Sequence, residues 1–177
     1  MTQCTVCLSI DDIEAIPQEM LPMLVLSGNN HSFLNFAIER RTWSHYAHMM
    51  WLHRPGFFAT QDWWYREVPV RKYDGVRLKL WRSKAWRPQD KIQIMHRIDA
   101  ELQKPKWQTR YDLLAIVGQL LGNVHIQTPW TNICSDWANL LKLSDRDYYL
   151  DHPSPGDVNK WLKGHEKYEC FTRYIPD

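Results

Sequence analysis

The sequence predicts a mixed α+β fold, a central antiparallel sheet packed against helices, and three patterns carry that prediction. Short strand-like segments cluster in the first half of the chain. Helical periodicity dominates from residue 88 onward. The two kinds of element do not alternate as βαβ units, which argues against a parallel doubly wound sheet. With 177 residues, 44% of them hydrophobic and 24% charged, the chain suits one domain, 1–177, able to bury a core without disulfides or a structural metal.

The elements follow in order. Leu21 to Leu26 is an apolar run closed by the turn cluster Ser27-Gly28-Asn29-Asn30 and reads as a first core strand. Phe33, Leu34, Ala37 and Ile38 recur at helical spacing, and Arg40-Arg41 close that helix where cations suit its dipole. Trp43 to Leu52 reads as a strand with His45, Ala47 and Met49 on one face and Tyr46, His48 and Met50 on the other. Phe57 to Gln61 and Trp64 to Val70 are further short strands. Val76 to Leu80 alternates most clearly, with Val76, Leu78 and Leu80 toward the core. Pro88 opens an amphipathic helix through Ile92, Met95, Ile98 and Leu102, which ends before Pro105. Tyr111 to Leu121 gives a second helix, Cys134 to Leu143 a third with a Trp137, Leu140, Leu141 stripe, and Ser154-Pro155-Gly156-Asp157 caps a last one carrying Val158, Trp161 and Leu162.

The formal net charge of +2 is too small to imply a nucleic-acid or membrane partner by itself. No basic, apolar leader opens the chain, and no apolar run approaches the length of a membrane span, so a soluble, cytoplasmic protein is expected. Oligomeric state leaves no mark on the sequence. Four cysteines do not make a disulfide framework, so reduced thiols are expected. Cys4-Thr5-Val6-Cys7 lacks the second ligand pair a zinc site needs and reads as a half-buried first segment.

Two residues can form a nucleophile and base. Cys134 stands at the start of a helix, where unpaired amide donors and a nearby imidazolium would lower a thiol from about 8.5 toward roughly 4 to 7 and so favour the reactive thiolate. His45 lies upstream in the run Trp43-Ser44-His45-Tyr46-Ala47-His48. On spacing alone, a cysteine there is more often a small buried hydrophobe, and the cluster His45, His48, His53 is more often packing or surface.

The ordered set of motifs resembles the circularly permuted papain-like cysteine hydrolases, the YiiX/YaeF amidase group of the NlpC-like superfamily, which includes many bacteriophage proteins. It runs through Met23 to Leu26, Trp43 to His48, Arg66-Glu67-Val68-Pro69-Val70, Tyr111-Asp112, Ile133-Cys134-Ser135-Asp136 and the Ser154 to Asp157 turn. The resemblance implies a permuted papain-like fold, Cys134 as nucleophile and His45 as base, with His48 left to packing or substrate contact. It implies no cofactor. It also implies a peptide, cell-wall or acylated substrate whose amide, ester or thioester bond passes through an acyl-enzyme, in the host cytoplasm or the virion if the protein is viral. The group's third polar residue follows on the next strand, where this chain has Ala59-Thr60-Gln61-Asp62; Thr60 and Gln61 are the candidates, with Asp62 if it points inward.

Residues 71–87 compete for attention, because seven basic residues interleave with three aromatics there. That composition could track phosphates and stack bases. A solvated basic face on an edge strand explains it better, and a negatively charged substrate tail is a further use. The remaining alternative is a non-catalytic virion or interaction protein on the same fold.

Overall fold

A computed structural model describes residues 6–28, 40, 43–111, 131–132, 134–150 and 153–173. In chain order these form β1 (Val6–Cys7), α1 (Ile10–Glu14), β2 (Met23–Ser27), β3 (His48–Arg54), β4 (Phe57–Gln61), β5 (Tyr65–Pro69) and β6 (Leu78–Ser83). There follow α2 (Pro88–Leu102), β7 (Arg110–Tyr111), β8 (Thr131–Asn132), a 3₁₀ helix (Cys134–Leu143), α3 (Pro155–Lys163) and β9 (Tyr168–Arg173). Seven strands make one sheet in the order β1-β9-β6-β2-β3-β4-β5, antiparallel except for the β1–β9 pair. The mixed α+β class and central antiparallel sheet expected from the sequence are therefore present. The helices expected over 33–41 and 111–121 lie outside the described residues but for Arg40 and Tyr111.

The sheet is buried on both faces, which is why β2 is apolar at nearly every position rather than at alternate ones. Alternation divides its side chains between two cores. Leu24, Leu26, Met49, Trp51, Ala59, Tyr65 and Trp81 meet α2, the 3₁₀ helix and α3 on one face. Met23, Val25, Met50, Leu52, Phe58, Leu78 and Leu80 meet Ile10, Ile13 and Ile16 on the other. We call these the helix face and the α1 face.

Local chemistry sets the element ends. Pro88 occupies the first turn of α2, where its missing N–H costs nothing, and the Asp90 carboxylate accepts from the Arg87 backbone N–H. At α3 the Ser154 hydroxyl accepts from the Asp157 N–H while the Asp157 carboxylate accepts from the Ser154 N–H, a reciprocal cap. Three expectations are corrected. The strand begins at His48, not Trp43, because Trp43 adopts a left-handed φ of 50° and Ser44 turns the chain. The strand expected over 76–80 is not an edge: β6 lies between β2 and β9. The first segment is exposed rather than half-buried at Val6 and Cys7.

Candidate active site

The 3₁₀ helix that opens at Cys134 is fixed to the sheet by its fourth residue. The indole Nε1–H of Trp51 on β3 donates to the Trp137 carbonyl at 3.0 Å, and the Trp137 ring lies 4.7 Å from that of Tyr65 on β5. Both contacts are buried. Trp137, Leu140 and Leu141 face the sheet, as the stripe in the sequence predicts, and the bounds Cys134–Leu143 agree with that prediction. The Cys134 side chain itself lies outside the described residues.

Strand register then sorts the polar candidates between the two faces. Met50 pairs with Thr60 and Trp51 with Ala59, so Gln61 stands opposite Met49 on the helix face while Thr60 lies on the α1 face. Gln61 is fully buried, and its amide donates to the Thr109 carbonyl at 3.4 Å. Thr60 is occupied by His48: its Oγ1 and His48 Nε2 share a hydrogen bond of 2.7 Å, with Asp62 Oδ1 at 3.9 Å. Of the two candidates for the third polar residue, only Gln61 shares the face on which the 3₁₀ helix packs.

His45 sits in the bend that precedes β3 and is exposed. Strand parity carries Met49 and Trp51 to the helix face, but the bend at residues 43–46 interrupts it before His45, and it is the neighbouring Tyr46 that packs against the helix-face core. Two contacts shape the bend. The Tyr46 N–H donates to Ser44 Oγ at 3.1 Å, a short local turn. A Cβ placed on Gly156 in the first turn of α3 would come within 2.8 Å of Ser44 Cβ, so the backbone of α3 presses directly on the residue before His45.

His48 bonds Thr60 on the α1 face, which sets it apart from the face on which the 3₁₀ helix packs. Burial pushes its imidazole down to about 4, against the upward pull of Asp62 and with the downward push of Lys72. A neutral ring hydrogen-bonded to a threonine is a packing group. Burial works to raise the Asp62 carboxyl, but hydrogen bonds from Arg66 and Lys72 and the Lys72 charge hold it below the ordinary carboxylate range. His53 on the helix face is 3% exposed and meets Glu67 at 2.7 Å; burial lowers its pKa, opposed by Glu67 and Asp99. Among the described residues no three histidine, cysteine or acidic side chains converge as a metal-binding group.

The cysteines differ from the expectation of uniformly reduced thiols. Cys7 is free and exposed, whereas Cys170, 1% exposed, is disulfide-bonded. No described helix is long and apolar enough to cross a membrane. Most of the 71–87 cations are also committed to carboxylates: Arg71 to Asp11 and Glu14, Lys72 to Asp62, Arg82 to Glu169, Arg87 to Asp90. Lys79 differs from the sequence expectation in its burial. It alternates with core residues and so reads as solvated, yet it is 4% exposed. Its burial has no local signal, since Tyr46 and α3, which cover it, are distant in sequence.

No protein-family model matches this chain, and no curated protein matches it at a significant level.

Proposed function

We propose that the protein is a thiol hydrolase of permuted papain-like architecture, with Cys134 as nucleophile, His45 as base and Gln61 as the group that orients the imidazole. The single observation that carries the reading is the Trp51–Trp137 hydrogen bond. It secures the helix opening at Cys134 to the sheet face on which Gln61 is buried, and His45 stands in the bend that leads into β3, the strand that carries Trp51.

In this reading the Cys134 thiolate attacks the carbonyl carbon of an amide, ester or thioester, its proton having passed to His45. The oxyanion is met by backbone N–H groups at the helix start, which have no partners within the helix. Collapse of the tetrahedral adduct returns the proton from His45 to the leaving group and leaves an acyl-thioester on Cys134. Water, deprotonated by His45, then releases the acid. Gln61 serves through its side-chain oxygen as an acceptor for the imidazole N–H, a neutral counterpart of the carboxylate in a triad. The nucleic-acid alternative is weakened by the ion pairs that occupy the basic stretch and by the central place of β6.

Intact-mass measurement after exposure to a panel of acyl-type thiol probes tests the proposal without knowledge of the substrate. The expected result is one acyl adduct per chain, mapped to Cys134 and lost in Cys134→Ser. Adducts confined to Cys7, or none in the native protein, would overturn it.

A further inference from the structure

Among the described residues Lys79 is a buried ammonium without an acceptor. It lies on the helix face of β6, in a cross-strand row with Leu26, Met49 and Gln61. No hydrogen bond or ion pair to an oxygen of a described residue reaches it. Its Nζ lies 5.0 Å from the Trp81 ring centre and 5.8 Å from that of Tyr46, and a second cation, Lys163 at the end of α3, stands within hydrogen-bonding reach. Aromatic faces offset part of the desolvation cost, but they supply no lone pair to match three N–H donors. Bringing a second ammonium to the same place raises that cost.

Such a group of cations is stabilised by an anion placed among them. Lys163 is exposed and at a helix end, so its ammonium can reorient around a ligand, whereas Lys79 is held by its strand. We propose that Lys79 and Lys163, with the Tyr46 hydroxyl, bind an anionic group, a carboxylate or a phosphate, carried by the molecule that occupies the candidate active site. Tyr46 directly follows His45, and Lys79 stands three strands from Gln61, about 14 Å along the row. The anion therefore lies on the same face as the reacting bond but away from it, as a specificity group of an acyl substrate does. Its attachment to a substrate rests on the hydrolase reading; the anion site itself does not.

Calorimetric titration at pH 7 and constant ionic strength tests the site with inorganic phosphate and with acetate, in the native protein and in Cys134→Ser, which lacks the proposed nucleophile. Saturable binding of at least one anion is expected in both proteins, at least tenfold weaker in Lys79→Met. Lys163→Ala, at an exposed position, should weaken it as well. Stronger binding of phosphate or of acetate identifies which anion the site takes. Absence of saturable binding by either anion up to about 10 mM, or affinity unchanged in both lysine variants, would overturn the proposal. An inactive but anion-binding protein would instead count against the hydrolase reading alone.

Discussion

The backbone at Gly156 lies so close to Ser44 that a single methyl group on it would meet the serine Cβ at 2.8 Å. The contact joins the first turn of α3 to the bend that presents His45. Gly156→Ala should therefore shift residues 43–46 and cost about 1 to 3 kcal/mol of stability, the usual range for overpacking. Ser44→Gly in the same protein should recover most of that loss by removing the opposing Cβ. Urea denaturation of the two single variants and the double variant checks this; additive losses would show that the contact does not couple them.

The Trp51–Trp137 bond allows a second test. Trp51→Phe keeps an aromatic ring on β3 but leaves the buried Trp137 carbonyl without its donor. A lost buried partner costs about 1 to 3 kcal/mol, and the smaller ring adds a void. The expected outcome is a lower urea midpoint together with slower alkylation of Cys134, since the helix that carries it loses its anchor. A change in midpoint without a change in alkylation would place the anchor's effect elsewhere.

Much of this arrangement is legible in the sequence where local chemistry decides it. Pro88 and Ser154 announce the helices that follow them, and Phe57 to Gln61 is a strand with the predicted bounds. The stripe Trp137, Leu140, Leu141 faces the core as its spacing requires. What escapes the sequence is decided by partners far along the chain. β9 mixes Glu169, Thr172 and Arg173 with apolar residues and becomes a strand by pairing with β6 on one side and β1 on the other. The His48–Thr60 bond depends on the β3–β4 register, which places the two candidates Thr60 and Gln61 on opposite faces. Lys79 looks solvated until α3 closes over it.

Reactivity should separate Cys134 from the other thiols. Among the described cysteines Cys7 is exposed and free, so it competes for any reagent, while Cys170 is withheld by its disulfide. At pH 6 an ordinary thiol is almost entirely protonated and reacts slowly. Iodoacetamide should nevertheless modify Cys134 ahead of Cys7, and His45→Ala should slow that reaction several-fold while Cys7 is unaffected. Peptide mapping by mass spectrometry reads both rates. Equal rates at the two positions would remove the activated thiol.

Stability should rise with pH in two separate windows, each set by a buried base whose folded pKa lies below its unfolded one. His48 takes up a proton near 6.5 when unfolded but only near about 4 when folded. Between those values the unfolded chain binds more protons, so stability is full above pH 6.5 and is lost as pH falls through 4, by about 3 kcal/mol. His48→Gln should flatten that slope. Lys79 falls from 10.5 to about 8 because burial and then Lys163 disfavour its charge. Its penalty is present in full below pH 8 and is relieved as pH rises toward 10.5, by about 2 kcal/mol once solvent screening at the ammonium is allowed for. Lys79→Met should remove the alkaline rise and stabilise the protein at pH 7, because a thioether in that place has no charge to desolvate. Phosphate, if it occupies the site, should stabilise the native protein at pH 7 and have no such effect on Lys79→Met. Urea midpoints measured from pH 4 to 10.5 with and without phosphate decide it: a flat alkaline limb in the native protein would mean that the Lys79 ammonium is already compensated.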